Sequence, residues 1–285
     1  MDSDCWTCIF LRVKWRLRAK FRLVCRDWAT VLDDGSLWPD VGVEPTRARL
    51  RYVCGQGLLA TAQWLVATFH ISADGARADN NYALRYSCGY GHLAVAQWLA
   101  TTFGLTADDA RADHNGALRW SCARGHLATA QWLVSTFGLT AKDARALENA
   151  ALYKACEGGH LSTAQWLAAT FSLERADARA EHSHALHWSC SNGHLEVAQW
   201  LVATFTLTAE DVRSFENWSL RHSCANGHLA VAQWLAAAFE LNAEDAGAFD
   251  NWALLVSCAN GHHQVARWLV AAFGLEPHCE YCRSP

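Results

Sequence analysis

The sequence predicts an all-α solenoid of seven 34-residue repeats, each folded as a helix, a turn and a second helix. The first observation is a tryptophan that returns every 34 residues, at Trp64, Trp98, Trp132, Trp166, Trp200, Trp234 and Trp268. The second is that six other positions keep the same step, represented in the second copy by Leu84, Cys88, Gly91, Ala96, Leu99 and Phe103. A fixed period of roughly 20 to 50 residues is typical of folds in which each unit buries its apolar face only against its neighbours.

Each repeat contains two predicted helices of different pattern. Leu84 and Cys88 are four residues apart and therefore share one face of the first helix. Ala96, Leu99 and Phe103 form the i, i+3, i+7 stripe of the second helix. The repeat is therefore expected to bury one face of each helix.

The turn between the two helices is predicted at Gly91 and His92, because glycine allows the positive φ that often follows a helix. Another column on the first helix holds serine or alanine in six copies and valine in the first. Its members are Val53, Ser87, Ser121, Ala155, Ser189, Ser223 and Ser257. We expect neighbouring helices to approach closely along this column.

The tryptophan column is predicted to be the largest source of burial. A buried indole ring removes roughly 150 to 250 Å² from water, which corresponds to on the order of 4 to 6 kcal/mol as an upper bound. Core packing explains this column without a functional role.

Composition and charge favour a soluble intracellular protein without catalytic motifs. The chain is 52% hydrophobic and 18% charged, with a formal net charge of -4. Seven of its twelve cysteines form one repeat column, where they are expected to be small buried apolar residues: Cys54, Cys88, Cys122, Cys156, Cys190, Cys224 and Cys258. No run of about 18 apolar residues is present, so no membrane span is expected, and charges interrupt the N-terminus where a secretion signal would be apolar.

The residues around the turn resemble the ankyrin repeat. The sequence GHLAVAQWL from Gly91 follows the short first helix ALRYSC, and ankyrin repeats usually open the second helix with Gly-His-Leu. The resemblance covers Thr46 to about Leu275 and implies a stack that binds a protein target on its concave face without a cofactor. The Thr-Pro-Leu-His opening of that family is replaced here by sequences such as YALR at Tyr82.

Short helical turns are predicted where ankyrin repeats usually form β-hairpin fingers. Three pairs have the spacing of a capping box, in which a side chain and a backbone group bond reciprocally at the start of a helix. They are Thr106 with Asp109, Thr140 with Asp143, and Thr208 with Asp211. The copies at Ser72, Glu174 and Asn242 depart from this pattern.

A target-binding surface is predicted on the first helices, in columns that vary between repeats and lie off the packed face. Aromatic and arginine side chains, which binding hot spots prefer, are common there. One column reads Arg51, Arg85, Arg119, Tyr153, His187, Arg221 and Leu255, and the next reads Tyr52, Tyr86, Trp120, Lys154, Trp188, His222 and Val256. At their edges lie Tyr82, Tyr90, Arg124, His184, Trp218 and Trp252. Alternatively, any single member only covers a helix end.

The stretch FRLVCRDWATVLDDGSLW, from Phe21 to Trp38, resembles the second half of an F-box. The residues that carry the resemblance are Leu23, Val24, Trp28, Val31 and Leu32 on a helix, with Leu37 and Trp38 closing the motif. It implies docking on the adaptor of a cullin-type ubiquitin ligase. The combination of an F-box with ankyrin repeats resembles proteins encoded by large DNA viruses of amoebae.

The segment before it alternates apolar and basic residues from Leu11 to Leu23, a period that suits a strand with one basic face. Such a run would suit a nucleic-acid or nuclear role, which the acidic repeats make unlikely. Cys5 with Cys8, and Cys279 with Cys282, have zinc-like spacing, but two ends of one stack cannot share an ion, so only a dimer would complete the site. We expect no metal and no cofactor.

Three segments are therefore predicted: residues 1–46 as a basic, F-box-like and partly helical segment, 47–275 as seven ankyrin-like repeats, and 276–285 as a tail. The predicted function is substrate recognition for a cullin-type ubiquitin ligase, by a non-enzymatic monomer that contacts neither membrane nor nucleic acid. The alternative is a plain ankyrin scaffold that binds a host protein without ubiquitin transfer. The expected location is the cytoplasm, that of the host if the chain is viral, with the nucleus as the alternative.

Overall fold

The computed structural model describes residues 45–276, with side chains from residue 49 onward. Within this range the chain forms helices and no strands, which confirms the predicted all-α fold of repeated helix–turn–helix units. The F-box-like residues, the alternating segment and the terminal cysteine pairs lie outside the described residues.

The helices of the described range are, in order, α1 (Pro45–Gly55), α2 (Leu59–Phe69), α3 (Ala73–Gly89), α4 (Leu93–Phe103), α5 (Ala107–Ala123), α6 (Leu127–Phe137), α7 (Ala141–Ala144), α8 (Ala146–Glu157), α9 (Leu161–Phe171), α10 (Arg175–Ala178), α11 (Ala180–Ser191), α12 (Leu195–Phe205), α13 (Ala209–Ala225), α14 (Leu229–Ala238), α15 (Ala243–Ala246), α16 (Ala248–Ala259) and α17 (His263–Phe273). They fall into two compact units. The first runs to Ser121 and includes Ala128–Leu139, and the second contains Cys122–Leu127 and the chain from Thr140. In the first unit α1 packs on α3, and in the second α8, α11, α13 and α16 pack in series.

The core of both units is made of leucines rather than of tryptophans. The largest fully buried side chains are Leu50, Leu84, Leu99, Leu118, Leu133, Leu152, Leu167, Leu186, Leu201, Leu220, Leu235 and Leu254. The small column that the sequence predicts is buried with them. Its serines are satisfied locally, since the Ser87 hydroxyl donates to the Leu84 carbonyl at 2.9 Å. The helices can therefore pack closely along this column, because each serine hydroxyl has an acceptor within its own helix.

The tryptophan column, predicted to be the largest source of burial, is partly rather than fully buried. All seven rings are only half-buried. Each lies edge-on to the phenylalanine five residues later, as Trp166 does to Phe171 at a ring-centroid distance of 6.1 Å. Successive residues of a helix point about 100° apart. The leucine that follows each tryptophan therefore points into the core, and the indole flanks it.

The predicted short helical turns are confirmed. Thr140, Glu174, Thr208 and Asn242 each begin a helix with a capping box to the aspartate three residues later. Ser72 also caps its helix, with its side chain accepting from the Gly75 N–H at 3.3 Å. The copies that depart from threonine thus still cap, because glutamate and asparagine oxygens also accept backbone hydrogen bonds.

An unpredicted feature is a run of three left-handed residues after each short helical turn. In α3 these are Asp79, Asn80 and Asn81, with φ of 54°, 57° and 57°. The run recurs at residues 113–115, 147–149, 181–183, 215–217 and 249–251. A left-handed residue other than glycine costs roughly 1 to 2 kcal/mol. Each run must therefore be held by bonds from elsewhere.

Aspartates of the next repeat hold several of these runs, including those that end at Asn81 and Asn217. Asp109 accepts from Arg77 at 2.9 Å and from the buried amide of Asn81 at 3.1 Å, both in the preceding repeat. Its other oxygen accepts from the Thr106 backbone at 2.8 Å. One buried carboxylate thus caps a helix and anchors the left-handed run before it.

The turns of neighbouring repeats interlock through glycine and histidine. Gly159 has φ of +74°, and a Cβ built there would lie 2.6 Å from the ring of His194 in the next repeat. The same ring contacts the Glu157 carbonyl through Nε2 at 3.0 Å. Glycine at this turn is therefore required both by its backbone conformation and by the ring packed on it.

Candidate protein-binding surface

The arginines of the first predicted column hold the left-handed runs of their own repeats. Arg85 donates to the carbonyls of Asn80 at 2.7 Å and Asp79 at 3.0 Å. Arg119 makes the equivalent bonds to His114 and Asp113, each at 2.8 Å. These guanidinium groups offset the cost of the strained backbone, so their hydrogen-bonding capacity is largely used within the chain.

Two members of the predicted surface are buried. Arg221 is 8% exposed and donates to the carbonyls of Glu216 at 2.6 Å and Phe215 at 2.9 Å. His187 is 1% exposed, with Nε2 at 3.0 Å from the Ser214 hydroxyl. That hydroxyl donates to the Asp211 carbonyl at 2.6 Å, so the histidine ring donates to it and is the neutral Nε2–H tautomer. Neither side chain is available to a partner in this conformation.

In the first unit, the predicted aromatic residues form one cluster. Tyr82 stacks on Tyr86 with ring centroids 3.7 Å apart, and Tyr86 lies 5.8 Å from Tyr90 and 5.6 Å from Trp120. Tyr90 is exposed and the other three rings are half-buried. The guanidinium of Arg51 lies 5.1 Å from the Tyr82 ring centre. The close stack of Tyr82 on Tyr86 means that these two rings cover part of each other's faces.

In the second unit, a longer series of rings crosses three first helices. Trp188 lies edge-on to Trp218 at 5.3 Å, Trp218 stacks on His222 at 3.9 Å, and His222 lies 4.9 Å from Trp252. All four are half-buried. Large rings that are held by their neighbours but still partly accessible are suited to hot spots of a protein interface.

The remaining predicted residues lie beside this series. Tyr153 contacts His184 edge-on at 5.9 Å, and the Lys154 ammonium lies 5.2 Å from the Tyr153 ring centre. Lys154 also pairs with Glu157 at 2.5 Å. Arg124 is half-buried at the end of the turn that follows α5. Within each unit, the structure thus brings several of the predicted residues into contact with one another.

Three exposed apolar residues were not predicted. Leu147, Phe215 and Phe249 each occupy the first position of a left-handed run and are 48%, 51% and 62% exposed. Other copies carry aspartate or glutamate at this position. That replacement of an acidic by an apolar residue was the available sequence signal, and its meaning depended on recognising the strained run.

The burial of His187 predicts a destabilisation at mildly acidic pH. Burial lowers the pKa of His187 to about 3, and repulsion from His184 adds to the effect. Since an unfolded histidine titrates near 6.5, the unfolded state binds more protons, and stability falls as the pH drops below that value. We expect a loss of about 2 kcal/mol between pH 7 and pH 5 from this group.

Urea unfolding at the two pH values measures this loss, and His187→Gln serves as the matched variant because its amide can still bond Ser214. The variant should show a shallower pH dependence than the parent chain. Burial also lowers the pKa of His160, His222 and His228, so a residual slope is expected. Identical slopes for variant and parent would contradict the assignment to His187.

Neither a cluster of metal ligands nor a membrane-spanning helix is found in the described residues. Between residues 45 and 276 no three His, Cys, Asp or Glu side chains are grouped closely enough to hold an ion. None of the helices there has the length and apolar character needed to cross a bilayer. Burial also raises the pKa of five column cysteines, which keeps their thiols protonated and unreactive; at Cys190 and Cys224 the pKa is about 12, and the others are Cys54, Cys88 and Cys156.

Comparison with known proteins supports the sequence resemblance over part of the chain. Residues 118–211 match the family model described as "Ankyrin repeats (3 copies)". A search of curated proteins finds no match. Repeats of this kind indicate a protein–protein interaction domain and are typically a non-enzymatic scaffold. Residues 118–211 of this chain are therefore similar to ankyrin repeats, and they lie within an all-α fold of repeated helix–turn–helix units.

Proposed function

We propose that the chain is a protein-binding subunit that captures a target through the aromatic side chains of its first helices. The observation that carries the proposal is the series Trp188, Trp218, His222 and Trp252, whose rings contact one another while remaining half-exposed. A group of large aromatic residues with exposed apolar surface marks an interaction site in many soluble proteins.

We further propose that the target is delivered to a cullin-type ubiquitin ligase. Support comes from the F-box-like residues between Leu23 and Trp38, together with the interaction repeats that follow them. In this arrangement the N-terminal segment docks on the ligase adaptor and the repeats select the substrate. The proposed setting is the cytoplasm of a eukaryotic cell, where that machinery is present.

Pull-down of the full-length chain from a eukaryotic lysate tests both parts. Trp218→Ala should reduce capture of the target by at least roughly tenfold, a loss equivalent to about 1.4 kcal/mol, without loss of the adaptor. Trp28→Ala combined with Leu32→Ala should remove the adaptor and leave the target. Gln199→Ala, an exposed residue of α12, is the control and should change neither.

Two results would redirect the interpretation. Target capture that is indifferent to the N-terminal double substitution, in a parent chain that never retains the adaptor, would favour the plain scaffold. Target capture that is unchanged by Trp218→Ala, with the variant still folded, would contradict the aromatic surface.

A further inference from the structure

The left-handed runs of the second unit present an exposed ridge of apolar and acidic side chains. The first two residues of each run make up this run ridge, at residues 147–148, 181–182, 215–216 and 249–250. All of them are exposed. Three runs begin with an apolar residue, and each of the four contributes one acid to the ridge: Glu148, Glu181, Glu216 and Asp250. Apolar and acidic groups therefore lie side by side along it.

The first unit uses the same positions differently. Its runs at residues 79–81 and 113–115 begin with aspartate. Asp79 forms an ion pair with Arg51, and Asp113 forms one with Arg85, in each case with the preceding repeat. In the second unit three of the first positions are apolar, so this pairing is lost there and the side chains are left exposed.

Contacts between neighbouring runs join the run ridge into one surface. The His182 ring lies edge-on to the Phe215 ring at a centroid distance of 4.6 Å. The Phe215 carbonyl accepts from Arg221 at 2.9 Å, and the same guanidinium lies 5.0 Å from the Phe249 ring centre. Three runs are therefore connected, and a pair of carboxylates joins the fourth to them.

That pair is formed by Glu148 and Glu181, two exposed side chains of like charge. The hydrogen bond with Glu181, followed by the repulsion from its charge, raises the pKa of Glu148. Two carboxylates that lie this close cannot both ionise freely. A cationic group placed against them would relieve the repulsion.

The arginines beside the run ridge are already engaged within the chain. Arg145, Arg179 and Arg213, each two residues before a run, bond the buried aspartate of the following repeat through Nε at 2.6, 2.5 and 2.8 Å. Arg221 is buried against two backbone carbonyls. Among residues 49–276, none of the four ridge acids takes part in an ion pair. The run ridge therefore carries negative charge that its own neighbours do not neutralise.

We propose that the run ridge binds a basic amphipathic helix of a partner protein, whose apolar side chains cover Phe215 and Phe249 and whose lysine or arginine side chains approach the ridge carboxylates. Complementary charge of this kind favours a basic partner and repels phosphate groups, so neither nucleic acid nor an acidic lipid surface suits the ridge. The inference goes beyond the proposed function, because no ridge residue belongs to the aromatic surface described above.

The arrangement of the ridge favours a helix over an extended segment. Phe215 lies beside Glu216, so the partner must present apolar and basic side chains on the same face. A helix does so with residues three or four apart, whereas an extended segment alternates its side chains between opposite faces. Packed helices lie roughly 8 to 10 Å apart, so four successive runs span roughly 24 to 30 Å. A helix of about 16 to 20 residues has this length.

Fluorescence anisotropy with the full chain tests the proposal. The probe is a labelled peptide of about 20 residues with leucine and lysine on one helix face. Companion peptides carry alanine in place of the leucines or glutamate in place of the lysines. We expect the leucine–lysine peptide to bind, and each companion to lose roughly tenfold or more in affinity. Labelled duplex DNA and anionic vesicles test the other classes of occupant.

Phe249→Asp separates a specific site from general attraction to an acidic protein. The substitution restores the residue type that Asp113 supplies in the first unit, where it pairs with an arginine of the preceding repeat. It also adds a negative charge. Binding should nevertheless weaken roughly tenfold, because the apolar contact is lost. Attraction by charge alone would leave binding unchanged or make it tighter.

Glu148→Gln combined with Glu181→Gln tests the carboxylate pair. This variant should also weaken binding roughly tenfold, while urea unfolding should show no loss of stability because a repulsive pair has been removed. Glu196→Gln combined with Glu244→Gln is the control, since it removes the same charge from exposed positions outside the run ridge. The control should bind the peptide as the parent chain does.

Each outcome either supports or overturns the proposal. Absence of binding by the leucine–lysine peptide, tighter binding of DNA or vesicles, undiminished binding by Phe249→Asp, or equal losses for the two glutamine variants would overturn it. If the peptide fails while Trp218→Ala still reduces capture of the lysate target, this inference is wrong and the proposed function stands. If the ridge variants behave as expected while Trp218→Ala has no effect, the aromatic surface is wrong and this inference stands.

Discussion

Replacing Leu167 by alanine is expected to lower the free energy of unfolding by about 3 to 5 kcal/mol. Leu167 is 0% exposed and lies in the middle of α9, within the second unit. Truncation there removes apolar contacts and leaves a cavity that the surrounding helices fill only in part. Urea unfolding followed by circular dichroism at 222 nm measures the loss.

Trp166→Ala is the matched control because it removes a larger side chain from the adjacent position. Its ring is half-buried and contacts Phe171 edge-on. We expect this substitution to cost less than Leu167→Ala, about 1 to 3 kcal/mol. A larger loss for the tryptophan would show that the indole column, and not the leucine column, is the core of the stack.

Replacing Asp211 by alanine is expected to lower the free energy of unfolding by about 2 to 4 kcal/mol, since it removes a helix cap and charge-assisted bonds together. Asp211 is 6% exposed. It accepts from the Thr208 backbone at 2.8 Å and from Arg179 of the preceding repeat at 2.9 Å. Burial works against its ionisation, but these bonds outweigh it and hold its pKa below the ordinary value.

Glu210→Ala is the control for this prediction, because it deletes an exposed carboxylate from the neighbouring position of the same helix turn. It should change stability by less than about 0.5 kcal/mol. Asp211→Asn should recover part of the loss, because an amide oxygen still accepts from the Thr208 backbone. Equal effects of the two alanine substitutions would mean that the carboxylate bonds do not hold the repeats together.

Much of the fold follows from the period of the sequence. The spacing of Leu84, Cys88 and Leu99 places both helices and their buried faces, and the threonine–aspartate pairs locate the helical turns. Periodicity identifies which residues recur, but it does not say which of two adjacent recurring residues points inward. The sequence-based prediction therefore assigned the centre of the core to the tryptophan, whereas the structure places the leucine that follows it there.

The left-handed runs could not be predicted from local sequence. Asn81 and its counterparts favour such a conformation, but Leu147, Phe215 and Phe249 do not. The bonds that hold the runs differ between repeats: Arg85 donates to the carbonyl of Asn80, and Asp109 of the next repeat accepts from Asn81. The runs that begin at Leu147 and Phe249 have Tyr153 and Leu255 where this arginine would lie. The sequence does not reveal which arginines make such bonds, so it presented them as candidate binding residues.

The sequence predicted which residue types form the candidate surface, but not which of those residues contact one another or are buried. The varying columns contain the tyrosines and tryptophans that the structure leaves partly exposed. They also contain His187 and Arg221, which the structure buries. The exposed fraction of a side chain in this column depends on the side chains packed around it, which differ between repeats. A single sequence does not reveal which side chains those are.

The interlock of Gly159 with His194 also bears on how such a chain can lengthen or shorten. The glycine of each such turn packs against the histidine ring of the next repeat, and the histidine of the same turn packs against the glycine of the repeat before. Gly193 and His228 make the same contact as Gly159 and His194. Duplication or deletion of a whole 34-residue cassette preserves every such pairing. An insertion or deletion of fewer residues would displace the glycine or the histidine at that turn, so whole units are the length changes that keep this contact.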